Sequence, residues 1–240
     1  MGNIKVSLEN NLGLKVSASN PLDERKEAKI VASQKDIEVK IEPNYTLRSS
    51  LFPVVNLGLS NKASEEFEKS VQARCLSMAD TFGGKICAAL DRQHPRDLFD
   101  VKLLLENEGI TTDVKDSFLF YLISHARPIN ELLNPNFKDL SKEYKNEFLD
   151  MAKIHVALDE LIIAREKLVL AIKQSLTEDD KRFLVSFVEN NPDWSLVRDS
   201  KIKHYPSVLW KLHNQKQMSD EKKIAYVEKM KLLLSEPTKN

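Results

Sequence analysis

The sequence predicts an α+β chain, with a partial mixed or antiparallel sheet first and a helical bundle after it. Three observations lead there. Residues 36–42 alternate, with Ile37, Val39 and Ile41 on one side and Asp36, Glu38, Lys40 and Glu42 on the other. That is the period of a half-buried strand. From Ser77 onward, apolar residues recur at three- and four-residue spacing instead. The two patterns do not interleave, which argues against repeated βαβ units. The expected division is a mixed domain over residues 1–110 and a helical domain over 111–240.

Taken in order, residues 3–8, 14–18 and 28–33 read as short β-compatible runs, and 36–42 is the clearest strand. Pro43 stops it, because proline has no N–H for a ladder. Residues 61–70 suggest a short helix and 73–76 a brief strand. Ser77 is placed to cap a helix running to about Arg92. Pro95 suits the first turn of the next helix, where its missing N–H costs nothing. That helix runs to about Asn107, and another covers 112–125. A single long helix is expected over 142–174, from Phe148, Met151, Ile154, Leu158, Leu161, Ile162 and Leu168 at helical spacing. Thr177 and Asp180 resemble a capping box that opens a helix to about Glu189. Residues 191–193 break it, and two last helices cover 207–213 and 219–235. Trp194 and Trp210 read as core anchors of the helical part.

Composition narrows the function classes. Lys plus Arg equals Asp plus Glu at 36 each, so net charge gives no argument for a nucleic-acid or membrane partner. The two cysteines, Cys75 and Cys87, form no disulfide framework and fit a reducing, cytoplasmic setting. Cys87 reads as a buried packing thiol. The histidines form no zinc-binding cluster, and no Walker loop or dinucleotide fingerprint is present.

Chemistry is expected in the stretch 81–105. Lys85, Asp91, Arg92, Arg96, Asp97 and Asp100 alternate there with a tight apolar pattern. Lys85 and Arg92 are seven apart and share one helix face. Gly83 and Gly84 would let a ligand or strand approach the backbone near a helix N-terminus, where free N–H groups favour phosphate. Asp97 and Asp100 are three apart on one face, and Arg96 and Asp100 form an i,i+4 pair. These residues fit an active cleft. They also fit a snorkelling lysine beside a buried ionic staple.

Lys85 followed by Ile86-Cys87-Ala88-Ala89-Leu90 and Arg92, then Arg96-Asp97-Leu98-Phe99-Asp100, resembles the AbiEii/AbiGii toxin family of nucleotidyltransferases from abortive-infection systems. The likeness extends upstream to Lys40-Ile41-Glu42-Pro43-Asn44 and Arg48. Downstream it reaches the Tyr205-Pro206-Ser207-Val208-Leu209-Trp210-Lys211-Leu212 run. It implies transfer of a nucleotide from an NTP with Mg²⁺, RNA such as tRNA as acceptor, a cognate antitoxin as partner and a role in phage defence. By residue, it implies Lys85 on the triphosphate, with Arg48, Arg92 and Arg96 as further nucleotide contacts. Glu42 would be the metal-binding acid of a neighbouring strand. Asp97 would organise the active site, with Asp100 anchoring Arg92 or Arg96 in support. The family's Gly-Gly-Thr or Gly-Ser turn and Asp-x-Asp strand do not occur in these 240 residues. The resemblance therefore implies a shortened toxin with little activity alone, whose exposed sheet edge would favour self-association. Asp36-Ile37-Glu38 has the spacing of the missing motif, but no glycine-serine turn and helix precede it. The alternative is an inactive binding protein for antitoxin, RNA or a second copy.

Overall fold

The computed structural model describes residues 2–18, 29–41 and 49–235. The chain forms two compact units, Met1–Leu47 and Arg48–Asn240. The fold is α+β, with small antiparallel sheets first and helices after them.

The first unit holds helix α1 (Gly2–Leu12) and strands β1 (Lys15–Ala18), β2 (Ile30–Gln34) and β3 (Ile37–Ile41). The strands pair antiparallel in the order β1-β2-β3, with Lys15 opposite Ser33 and Ile30 opposite Ile41. Residues 3–8, expected as a strand, are helical. Ile4, Val6 and Leu8 read as period two, but Ile4, Leu8 and Leu12 also share helical spacing. Gly13, at φ 62, then closes the helix, with the Leu14 N–H donating to the Leu8 carbonyl. A small core of Val16, Ile30 and Ala32 gathers Leu8, Leu14 and Ile41 against it. Ile37 and Val39 do not join it: they are 70% and 55% exposed. Among the described residues β3 pairs only with β2, so the alternation that predicts a half-buried strand correctly finds the strand but not the burial.

The second unit opens with a hairpin of β4 (Val55–Gly58) and β5 (Gln72–Cys75) around α2 (Asn61–Phe67). Helices α3 (Met78–Arg92), α4 (Pro95–Glu106), α5 (Thr112–Ser124), α6 (Ile129–Leu133), α7 (Ser141–Glu147), α8 (Leu158–Ser175) and α9 (Glu178–Val188) follow. Two 3-10 turns then lead to α10 (Pro206–Lys216) and α11 (Asp220–Ser235). The boundary expected near 110 falls inside this unit, on the connection between α4 and α5.

α5 is its central helix, with every residue from Ser117 to Ser124 buried. α3 crosses it at Gly83, where an added Cβ would sit 2.7 Å from Ser117 backbone and side-chain atoms. The glycine therefore admits a helix, not the ligand or strand expected there. Gly84 faces the Tyr121 ring at 3.9 Å. Cys87 is buried as expected.

The expected long helix over 142–174 is two helices. Phe148 turns into the core, whereas Met151 and Ile154 are 64% and 62% exposed. The Tyr144 hydroxyl ties the returning chain at the Val156 carbonyl, 2.7 Å away. The Glu160 carboxylate accepts the Ala157 N–H at 2.9 Å, which starts α8 afresh. Trp194 packs on Phe183 and Phe187, but Trp210 is 53% exposed and anchors no core. No helix among the described residues is long and apolar enough to cross a membrane.

Candidate functional site

The site is built on the turn between α3 and α4. Ser77 caps α3, its Oγ accepting the Asp80 N–H at 3.0 Å. The helix ends at Gln93, held in the left-handed region at φ 53. His94 then caps α4: its Nδ1 accepts the Arg96 N–H at 3.2 Å, and Pro95 fills the first helical position. With Nδ1 accepting, Nε2 carries the proton and donates to Glu147 at 3.1 Å.

Two ion pairs are nested about that turn. Arg92 Nη2 donates to Asp97 Oδ1 at 2.6 Å. Farther from the turn, Lys85 Nζ donates to Asp100 Oδ2 at 2.5 Å. The nesting replaces the expected pairing of Asp100 with Arg92 or Arg96, because across a helix–helix turn the nearer residues pair inside and the farther ones outside. Arg96 instead lies 3.7 Å from Glu147. Thus Lys85, Arg92, Asp97 and Asp100 come together, with Arg96 at the rim. Glu42 and Arg48 lie outside the described residues.

Exposure separates the four roles. The side chains of Arg92, Lys85 and Asp100 are 62%, 40% and 35% exposed, whereas Asp97 is only 13% exposed. Solvated pairs of this kind are worth at most about 1 kcal/mol, so an incoming phosphate can take Lys85 or Arg92 from its carboxylate. Seven residues of helix place those two cations roughly 10 Å apart along α3. Asp97 differs, since its Oδ2 is buried and accepts no hydrogen bond. An unsatisfied buried acceptor costs about 1–3 kcal/mol, a cost that a donor brought by a ligand would offset.

Other polar contacts fix the frame. Asp80 is fully buried and accepts from the Leu51 and Phe52 N–H groups and from the Ser77 and Ser117 hydroxyls, at 2.7–3.0 Å. It latches the segment before β4 onto α3 and α5. Asp91 pairs with Arg127 at 2.9 Å. The Gln93 side chain donates to the Asn136 carbonyl and accepts from the Lys138 N–H and Arg165. Arg165 is buried, which pushes its pKa below the usual value, and its guanidinium lies 4.3 Å over the Phe137 ring. Sequence reasoning named Ser77 and Asp91 but missed Asp80, Gln93 and Arg165. Ser77-x-x-Asp80 gave a usable signal as a capping box, but Gln93 and Arg165 gave none.

The described residues do not assemble a carboxylate set for a divalent ion. Asp97 and Asp100 are each engaged by a cation, and Glu42 lies outside the described region.

A family model described as "Nucleotidyl transferase AbiEii toxin, Type IV TA system" matches residues 12–214. No curated protein and no solved structure matches the chain.

Proposed function

The chain belongs to the AbiEii nucleotidyl transferase toxin family of type IV toxin–antitoxin systems, and we propose that its α3–α4 turn is the phosphate-binding wall of a nucleotidyltransferase-like site. The observation that carries this reading is the pair of displaceable cations, Lys85 and Arg92, beside a buried carboxylate oxygen with no partner on Asp97.

In this reading Lys85 leaves Asp100 to neutralise the phosphates of an NTP, and Arg92 and Arg96 extend the cationic wall. Such fixed charges act on the charge that develops in the transition state. Asp97 orients the bound group through its free oxygen, and Asp100 holds Lys85 when no nucleotide is bound. Arg48 and Glu42 are the further contacts we assign, Glu42 as the acid for a divalent ion such as Mg²⁺. A bound Mg²⁺ would offset phosphate charge, but the described residues form no carboxylate set that fits it. RNA is the acceptor we propose, the cognate antitoxin the protein partner and the cytoplasm the location. These 240 residues hold no Asp-x-Asp, so we expect NTP binding with little transfer by the chain alone. Incubation with labelled NTPs and tRNA tests this. Robust labelling by the purified chain would overturn the expected inactivity. Labelling unchanged by Lys85→Ala would overturn the assignment of Lys85.

A second reading, an inactive binding protein, has its own support. Val55, Leu57, Leu59 and Val71 of the β4–β5 hairpin are 37–54% exposed. Two isolated strands are marginal in water, so a partner laid on that face would stabilise them. Concentration-dependent mass by light scattering tests self-association through this face or a free sheet edge. A monomer at every concentration would remove the second copy as its occupant.

A further inference from the structure

A groove of about 440 Å³ runs between α6, α10 and α11. It shares no residue with the Lys85 site, and its volume suits a small ligand. Its floor carries two buried polar side chains from α10. Lys211 is 4% exposed, and its ammonium donates to the carbonyls of His125 at 2.6 Å and Arg127 at 2.5 Å. Those contacts use two of its three donors. Gln215, one helical turn on, is 5% exposed; its amide lies against the Tyr226 hydroxyl, but neither Nε2 nor Oε1 makes a well-aligned hydrogen bond. A buried primary amide with both ends unsatisfied is rare and costs about 1–3 kcal/mol for each group left open.

The opposite wall is one face of α11. Lys222, Tyr226 and Lys229 follow each other at four- and three-residue spacing, so they lie along a single stripe. Lys222 and Lys229 are exposed and make no ion pair among the described residues, whereas their neighbour Lys223 binds Asp220. Tyr226 is buried beside Gln215, and its hydroxyl accepts the Ile129 N–H at 2.8 Å. The acid that lines the groove, Glu131 on α6, lies 3.6 Å from Arg127, leaving the groove with an excess of positive charge.

Two requirements follow for an occupant. It must present an adjacent hydrogen-bond donor and acceptor to the Gln215 amide. It must also carry negative charge within reach of Lys222 and Lys229. A nucleobase edge supplies the first, since a glutamine amide pairs with adenine through one donor and one acceptor. A phosphate supplies the second. We propose that this groove is a second nucleotide site, in which Gln215 reads the base and the α11 lysines hold the phosphate. The occupant is a nucleoside monophosphate group, either free or at the end of an RNA strand. The proposal stands independently of the role given to Lys85.

Calorimetric titration of the full chain with AMP, inorganic phosphate and a short oligoadenylate tests it. In Lys85→Ala, which removes the other phosphate contact, AMP or the oligoadenylate should bind one per chain, more tightly than phosphate, and the tighter of the two identifies the source. Gln215→Leu keeps the side-chain volume and removes the amide. It should weaken binding roughly tenfold, the expected worth of one base-reading pair. The double variant Lys222→Gln, Lys229→Gln should weaken binding and flatten its salt dependence. AMP binding at this groove should persist in Lys85→Ala, whose own phosphate contact lies on the α3–α4 turn. Gln215→Leu should also fold at least as stably as the parent, because it removes an unsatisfied amide. Absence of AMP and oligoadenylate binding at millimolar concentration would overturn the proposal. So would binding indifferent to Gln215→Leu and to the lysine variants, or binding lost in Lys85→Ala alone.

Discussion

Replacing Gly83 and Gly84 separately by alanine asks whether the α3–α5 crossing governs the second unit. Both glycines lie within α3, so both substitutions gain about 0.8–1.0 kcal/mol of helix propensity. Their surroundings differ. A Cβ on Gly84 would meet the Tyr121 ring at 3.9 Å, an ordinary contact. A Cβ on Gly83 would lie 2.7 Å from the Ser117 carbonyl carbon and Cβ, and 2.8 Å from the Phe118 nitrogen. Two of those three atoms are backbone of the most buried helix, so the helices must separate by several tenths of an ångström. Overpacking of this kind costs about 1–3 kcal/mol. Gly84→Ala should therefore stabilise the protein by about 1 kcal/mol. Gly83→Ala should fall about 1–3 kcal/mol below it, because propensity cancels in the comparison. Urea unfolding followed by helical circular dichroism measures both variants. Equal stabilities, or Gly83→Ala the more stable, would refute a packing role for Gly83.

Further outcomes follow from the same contacts. Lys115 and Asp180 form a buried pair at 2.7 Å, and Asp180 also closes the Thr177 cap of α9. Asp180→Ala should cost about 3 kcal/mol or more in urea unfolding, because a buried ammonium loses a main partner. A loss below about 1 kcal/mol, the range of solvated pairs, would contradict that reading. Burial lowers the Lys211 pKa to about 8 from its ordinary 10.5. Between those values the unfolded chain binds the proton and the folded chain does not, so this residue's contribution to stability rises with pH across the window. The rise is at most about 3 kcal/mol, and Lys211→Met should abolish it in unfolding curves taken from pH 7.5 to 10. An identical pH slope in parent and variant would count against the lowered pKa. Lys85→Ala and Asp100→Ala should each change stability by less than about 1 kcal/mol, since that pair is solvated. A larger loss in thermal unfolding would make the pair a structural staple instead.

Much of the helical unit is legible in the sequence because its signals are local. Ser77, Thr177 and Pro95 mark helix starts through hydrogen bonds made within a few residues, and the structure places all three as read. The failures come where two local periods coexist or where burial is decided at a distance. Ile4, Val6 and Leu8 fit a strand as well as a helix, and the cap at Gly13 decides between them. Phe148 to Leu168 keep helical spacing across a break, because spacing does not report that Tyr144 captures the Val156 carbonyl. Within the candidate site, the residue types and their faces are readable, but the partners are not. Which aspartate meets which cation depends on the turn at Gln93 and His94, and Gln93 carries no sequence mark of its left-handed conformation. Gln215 reads as an ordinary polar helix residue. Only the packing of α11 reveals its buried, unpaired amide.

The central claim is that the α3–α4 turn binds nucleotide phosphate. Its most direct test is calorimetric titration with ATP, GTP, CTP and UTP plus Mg²⁺, on Gln215→Leu so that the groove beside α11 contributes little. The same titrations follow with Lys85→Ala added. The account predicts saturable binding of at least one NTP, lost on Lys85→Ala while unfolding stability is retained. Binding of none of the four, or binding that Lys85→Ala leaves intact, would contradict it.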